Sequence, residues 1–380
     1  MITTEMIQAA TTGRFHVEFS EITLSRKGAQ KDLNPIKGKG YVAQNGDTFE
    51  FVFFANDKAP PTPTYFMAQF MQTGNLIKDE AFFTAHCIEI DGTHWTIDDI
   101  LPGANSGPSG YTIHAKVRSA RWEESLPTDL KGNHYGATLF FLGKHDFMAN
   151  EIVKNEKSVG NDQLSTSWSF SAAVVKDVPN IQIRIVQYEA FITLEAWSDQ
   201  PLLQTFQLAA WQALEFSLAQ ALVCVLVCER NNAAFSGTVR PWADPRDQPD
   251  CGPPIAPNYS HTQDSYWALF SKVLTYLMRT DADSETLASC ISDIISVGNS
   301  LLGAQALVRS IAVESLCNVI PKISSKKEDL AAEDRKKLFT HLDSGEYAEK
   351  FVKRIKDFLD NMNKIRVIDT ADSSLKCNFN

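Results

Sequence analysis

No segment of this 380-residue chain is apolar over a length that could span a bilayer. Its most apolar stretch, residues 219–228, has about half the residues that a transmembrane helix needs. The N-terminus carries Glu5 and no basic residue before Arg14, whereas secretory signal peptides begin with Lys or Arg ahead of an apolar stretch. We therefore expect a cytoplasmic protein that does not enter a membrane.

Cysteines and metal-ligand patterns are scarce. The seven cysteines are an odd number, and no two of them form a C-x-x-C pair. Disulfide frameworks need paired cysteines and structural zinc sites need clustered ones. The histidines at 86, 94 and 114 follow no recognisable ligand spacing. We expect reduced thiols in an apolar core, no bound metal and no other cofactor.

The motifs of several large enzyme classes are missing. The chain has neither a G-x-x-x-x-G-K phosphate loop nor an H-E-x-x-H zinc motif, and Gly38-Lys39-Gly40 lacks the third glycine of a dinucleotide fingerprint. The segment from Gly107 to Gly110 does not fit a nucleophile elbow. These absences disfavour ATPases, zinc peptidases and α/β-hydrolases.

Positive charge is in deficit over most of the chain. Lys plus Arg total 36 and Asp plus Glu total 46, which gives a net charge of −10. Such a field opposes non-specific binding to phosphate backbones. Residues 321–380 differ, with 13 basic and 11 acidic residues, so a local basic face there could still meet RNA.

Residues 13–197 have the pattern of short strands and tight turns. Phe15, Val17 and Phe19 alternate with polar residues, as expected for a half-buried strand. Asn45-Gly46 and Asp91-Gly92 each separate two apolar segments, which is typical of β-hairpins. Regularly spaced strands of this kind predict an antiparallel β-sandwich-like domain over residues 1–198.

The apolar period changes to that of a helix near residue 200. Ser198 or Asp199 can cap a helix that starts at Pro201, while residues 221–228 fit either a buried strand or a continued helix. A Pro-rich connector covers residues 229–262. Helical stripes follow over residues 266–279, 284–297, 301–320, 328–342 and 347–362. These patterns predict a helical domain over residues 199–363 and a loose tail over residues 364–380.

Three apolar helical segments resemble a known family. They begin Tyr266-Trp-Ala-Leu-Phe, Gly303-Ala-Gln-Ala-Leu and Trp211-Gln-Ala-Leu-Glu-Phe. Through their pattern and the domain order, residues 200–363 resemble bacterial HEPN-type (ApeA-like) abortive-infection proteins, in which a helical domain follows a β-rich one. The resemblance implies an α+β protein with a C-terminal α-helical (HEPN-like) bundle that dimerises and, in active members, cuts RNA without metal.

Catalysis in that family uses an Arg, four to six arbitrary residues and a His. The His transfers a proton of the ribose 2′-hydroxyl and the Arg stabilises charge on the phosphate. The segment from Arg335 to His341 matches this spacing. It departs from the family in two ways. Lys336 follows the Arg, where the family usually has a small or polar residue, and the segment lies before the helix in which related proteins carry the motif. The other interpretation is a solvated helix face with His341 near a helix C-terminus.

Tryptophans supply a third kind of candidate site. Trp95, Trp122, Trp168 and Trp197 lie in the predicted β domain and could form a stacking platform for a sugar or a base. Of these, Trp95 and Trp168 are the candidate ligand-binding residues. Filling of the core is the ordinary role of such residues in a β-sandwich.

The sequence leads to one main functional hypothesis and two alternatives. The main hypothesis is an antiviral (anti-phage) defence component, whose β domain senses or docks a partner and whose helical domain oligomerises without catalysis. We expect a homo-oligomer or a hetero-complex with another defence protein, and RNA as a further partner. The alternatives are a metal-independent RNA endonuclease using Arg335 and His341, and a β module that binds a glycan or small molecule.

The endonuclease alternative makes a direct prediction. Wild-type protein is expected to cleave labelled single-stranded RNA in the presence of EDTA, because the Arg/His chemistry needs no metal, and His341→Ala is expected to abolish cleavage. Gel analysis of the RNA measures both. Equal cleavage by the two proteins would exclude His341 from catalysis.

Overall fold

The computed structural model describes most of the chain up to residue 296. The described residues are 3–26, 36–55, 82–101, 103–107, 110–126, 135–145, 147–159, 162–175, 178–244, 263–279, 281–296, 311–312 and 340. The chain divides into two compact units, residues 1–278 and residues 279–380.

Fifteen described strands of the first unit form one antiparallel sheet. The strands are β1 (His16–Arg26), β2 (Ile36–Asn45), β3 (Thr48–Ala55), β4 (Phe83–Glu89), β5 (His94–Ile100), β6 (Gly103–Gly107), β7 (Gly110–Lys116), β8 (Ala120–Ser125), β9 (Tyr135–Leu142), β10 (Glu151–Val159), β11 (Asp162–Val175), β12 (Gln182–Gln187), β13 (Phe191–Ser198), β14 (Cys224–Arg230) and β15 (Ala234–Val239). Their spatial order is β10-β11-β12-β13-β9-β14-β15-β8-β5-β4-β1-β2-β3-β7-β6.

The two predicted hairpins are confirmed. Strands β2 and β3 meet at Gly46, which has a φ of +61°, and Asn45 pairs with Thr48. Strands β4 and β5 meet around Gly92, which has a φ of +93°. Glycine enters these positive-φ conformations without the steric cost that a Cβ imposes.

The sheet curls so that strands far apart in its order share one core. Phe15, Val17 and Phe19 are buried there, as their alternation predicts. The same core contains Phe140 of β9 and Leu226 of β14. Apolar side chains of β1, β9 and β14 therefore share one core that excludes water.

Three described helices belong to the first unit: α1 (Thr4–Thr11), α2 (Phe206–Leu218) and α3 (Gln263–Leu277). Trp211 of α2 packs against Phe141 of β9 with ring centroids 6.0 Å apart. In α3 the indole Nε1 of Trp267 donates to the Met148 carbonyl at 2.6 Å. The first contact holds α2 on β9, and the second joins α3 to the segment between β9 and β10.

The second unit contains α4 (Ala282–Ser296). The Asp281 side chain accepts a hydrogen bond from the Ser284 amide at 2.8 Å, so Asp281 is the N-cap. The helices predicted over residues 301–320, 328–342 and 347–362 lie outside the described residues, apart from residues 311, 312 and 340. No helix within the described ranges is long and apolar enough to span a membrane.

The predicted α+β architecture, a β-sandwich-like domain followed by a C-terminal α-helical (HEPN-like) bundle, is wrong. The described chain is mostly one antiparallel sheet with four short helices. Residues 224–239, predicted to belong to the helical domain, form a hairpin in the middle of this sheet. The first five residues of β14 are all buried, so both of its faces are apolar and the alternation that marks a half-buried strand is missing.

A glycine opposite a tryptophan allows the sheet to pack tightly where β15 meets β8. Gly237 pairs with Trp122, and a Cβ at Gly237 would overlap the indole ring of Trp122. Trp122 is buried and packs against Trp95 with ring centroids 5.0 Å apart. The indole therefore has no free space to move into.

We predict that Gly237→Ala destabilises the protein by about 1–3 kcal/mol through overpacking. Urea unfolding measures the change, and the neighbouring Thr238→Ala, on the other face of β15, is the control with an expected cost below about 1 kcal/mol. Combining Gly237→Ala with Trp122→Phe should recover part of the loss, because the smaller ring makes room. If the losses in free energy of unfolding caused by the two substitutions simply add, overlap with Trp122 is not the cause of the destabilisation by Gly237→Ala.

Candidate functional site

A cavity of about 690 Å³ opens in the first unit where β9 begins and β13 and β14 end. Small-molecule sites in proteins commonly have volumes of about 300–1,000 Å³. Its lining combines aromatic, amide, hydroxyl and charged side chains with buried apolar ones: Tyr135, Gly136, Ala137, Thr138, Val178, Asn180, Ile181, Gln182, Ala196, Trp197, Ser198, Asp199, Cys228, Arg230 and Phe235.

One row of directly paired residues crosses the cavity. Along this row, Phe235 pairs with Arg230, Arg230 with Gly136, Gly136 with Trp197, and Trp197 with Gln182. Directly paired residues of neighbouring strands project from the same face of a sheet. Arg230 and Trp197 therefore flank a position, Gly136, that has no side chain.

The indole of Trp197 lies beside Gly136 and is open to solvent. A Cβ at Gly136 would lie 3.8 Å from Cδ1 of Trp197, and the tryptophan is 45% exposed. A half-exposed tryptophan in a concave site offers a flat apolar face to a ligand. Trp197 is therefore the aromatic residue of the cavity best placed for stacking.

Polar groups of the cavity rim are held by the local backbone. Asn180 lies in the turn between β11 and β12 with a φ of +61°, a left-handed conformation that Asn tolerates better than most residues. The Ser198 hydroxyl accepts a hydrogen bond from the Gln200 amide at 3.0 Å. Tyr135 pairs directly with Ser198, and its hydroxyl accepts a hydrogen bond from Asn232 Nδ2 at 2.6 Å. These bonds fix Tyr135 and Ser198 at the rim.

The cavity floor merges with the core. Cys228 lines the cavity and also belongs to the buried core, and it pairs with Thr138. Burial raises the pKa of the Cys228 thiol to about 12, so the group is protonated at neutral pH. A protonated thiol is a poor nucleophile. The floor is thus suited to contact with a ligand rather than to covalent chemistry.

A charged cluster lies beside the floor on the same face of the sheet. Thr138 pairs with Glu195, and Glu195 with Arg184. Arg184 Nε donates to Glu151 Oε2 at 2.9 Å. Burial raises the pKa of Glu195, while Arg184 and a hydrogen bond from Thr193 act in the opposite direction. The pKa of Glu195 is raised overall, so burial outweighs both the attraction to Arg184 and the hydrogen bond from Thr193.

Of the four sequence-predicted site residues, the structure describes the side chain of Trp95 alone. Trp95 is only 1% exposed, and its Nε1 donates to Glu89 Oε2 at 2.8 Å, so it is a core residue that a ligand cannot reach. Trp168 is part of β11 and pairs with Lys154, but its side chain lies outside the described residues. Arg335 and His341 also lie outside the described residues.

Sequence reasoning missed most of the cavity. Trp197 was one of four tryptophans considered, but nothing in its neighbours distinguished it from Trp95 as the exposed one. Arg230 and Phe235 fell in a segment predicted to have no regular structure. The pairing of Gly136 with both Arg230 and Trp197 joins residues up to 94 positions apart, and strand register is the only signal that reveals it. Within the described ranges, no group of His, Cys, Asp or Glu could hold a metal ion.

Comparisons with known proteins give no relative for this chain: no family model matches it, and no curated protein matches it significantly. The arrangement of residues around the cavity is therefore the basis for any functional conclusion.

The raised pKa of Glu195 predicts a specific dependence of stability on pH. In the unfolded chain the pKa of a Glu is about 4.3. Between this value and the higher pKa of Glu195 in the folded state, the folded chain binds more protons than the unfolded chain. The folded state therefore loses stability through Glu195 as pH rises through this window. Glu195→Gln, which cannot ionise, is expected to gain in free energy of unfolding relative to wild type from pH 4 to pH 8.

Urea unfolding at constant ionic strength over this pH range measures the difference. Glu189→Gln is the matched control, because Glu189 is exposed and its removal changes the net charge equally. A Glu195→Gln variant that loses stability relative to wild type towards neutral pH would show that the attraction to Arg184 dominates instead.

Proposed function

We propose that the β-sheet unit is a binding module for a small ligand, which enters the cavity between Arg230 and Trp197. The observation that carries this proposal is the paired row across the cavity, in which Gly136 leaves space between a cation and a half-exposed indole. The cavity volume is that of a small-molecule site, and amide and hydroxyl groups surround the opening.

Binding is favoured over catalysis by the chemistry of the lining. Cys228 is the thiol of the cavity, and burial raises its pKa to about 12. The hydroxyl groups of Ser198, Thr138 and Tyr135 have no histidine beside them among the residues that line the cavity. Activation of a hydroxyl nucleophile normally needs such a base.

We further propose that this binding is the sensing step of a cytoplasmic antiviral defence component that works in an oligomer or with a partner protein. The support for the defence role is the sequence pattern of the segments that begin at Trp211, Tyr266 and Gly303, since the domain order expected for HEPN-type proteins is not that of the structure. A cytoplasmic location is supported by Cys87, Cys224, Cys228 and Cys290, which are free thiols in the described chain. RNA cleavage by Arg335 and His341 stays a prediction, because both residues lie outside the described ones.

Thermal unfolding in the presence of four ligand panels tests the binding proposal. The panels are saccharides, nucleosides, nucleoside triphosphates and aromatic amino acids, each compound at millimolar concentration. At least one panel is expected to raise the Tm by several degrees, because a ligand that binds only the folded state stabilises it. Trp197→Ala is expected to abolish this rise.

Tyr188→Ala is the matched control for the loss of an aromatic residue. Tyr188 is 44% exposed, close to the 45% of Trp197, but it does not line the cavity. Its variant should keep the ligand-induced rise in Tm. No rise with any panel, or an equal loss in both variants, would contradict a binding function for this cavity.

A further inference from the structure

The spacing of the paired row limits the shape of the ligand. Arg230 and Trp197 both pair with Gly136, so they lie on strands separated by two strand spacings, or about 9.5 Å. A flat ring in contact with a flat group on each side needs about 7–8 Å between those groups. By this strand spacing, the slot over Gly136 is therefore wide enough for one planar ring and too narrow for two.

Both walls of the slot are groups that stack on planar rings. Indole rings stack on nucleobases, and a planar guanidinium does the same on its own face. A saccharide ring also packs on an indole, but its puckered shape gains little from a guanidinium plane. The pairing of Arg230 with Trp197 across one glycine therefore favours a flat, aromatic ligand.

The charges and amides of the lining narrow the class further. Arg230 and Asp199 are the charged residues of the cavity, so their formal charges cancel, and the whole chain carries −10. A polyphosphate gains nothing from such a field. The amides of Asn180 and Gln182 each offer donors and an acceptor, which suits the polar edge of a nucleobase.

We propose that the cavity binds a nucleoside, with its base stacked between the Trp197 indole and the Arg230 guanidinium above Gly136. This inference rests on the proposed binding function and names its ligand class. Asn180 and Gln182 contact the polar edge of the base, and the ribose lies toward the cavity opening. No covalent step is involved.

Isothermal titration calorimetry with adenosine, guanosine, cytidine and uridine tests the inference on the full chain. At least one nucleoside is expected to bind with 1:1 stoichiometry, and free ribose and a saccharide panel are not. The matching nucleoside triphosphate should bind no tighter than the nucleoside. Nucleoside binding is expected to weaken by about 5- to 150-fold in Trp197→Ala, the range for loss of one stacking partner, and to persist in Tyr188→Ala.

Three further variants separate stacking from charge and from misfolding. Arg230→Lys keeps the positive charge but lacks the planar face, so nucleoside binding should weaken at least several-fold. Gly136→Val places methyl groups in the slot and should also abolish binding. Circular dichroism and the Tm show whether each variant is folded, and Trp197→Phe, which keeps a flat ring, should retain part of the affinity.

The outcomes distinguish the two proposals. If saccharides or amino acids bind and nucleosides do not, the nucleoside inference is wrong while the binding function stands. If a nucleoside binds and Arg230→Lys and Gly136→Val leave its affinity unchanged, the ligand is not in this slot and the inference is also wrong. If no compound of any panel binds, both proposals fail.

Discussion

The hydrogen bonding of one hairpin joins the two parts of the sheet. Strand β14 pairs with β9, and strand β15 pairs with β8, so the hairpin lies between β9–β13 on one side and β1–β8 on the other. Without it, β8 and β9 would each present an unpaired edge, which exposes backbone donors and acceptors. The same hairpin contributes Cys228, Arg230 and Phe235 to the cavity, so the site exists only when this link is formed.

The sequence predicted local features of the sheet well and its extent poorly. The alternation of Phe15, Val17 and Phe19 and the hairpins at Gly46 and Gly92 depend on nearest neighbours, and all three were confirmed. The β14–β15 hairpin was missed because burial on both faces removes the alternating pattern. This hairpin joins the sheet by pairing with strands more than 80 positions away in the sequence. Local propensity carries no information about such distant partners.

The candidate site shows the same division. Residue type suggested tryptophans as ligand contacts, but residue type does not distinguish a buried indole from an exposed one. Trp95 is enclosed because it faces Trp122 within the curled sheet, whereas Trp197 lies at the end of β13 and is half exposed. Position along the strand relative to the core, which follows from register, separates these two roles.

Strand register also explains why the tightly packed core and the cavity each contain a glycine that pairs with a tryptophan. Gly237 lies directly across from Trp122, and Gly136 lies directly across from Trp197, so in both places a glycine gives an indole room on the sheet. The two pairs lie on the same face in neighbouring rows, which are two residues or about 7 Å apart along the strands, and β14 lies between the strands of the two glycines. The Trp122 indole is covered by the core, whereas the Trp197 indole lies where the core ends. The same pairing of glycine with tryptophan therefore stabilises the sheet where other side chains cover it, and leaves the candidate binding surface exposed where none do.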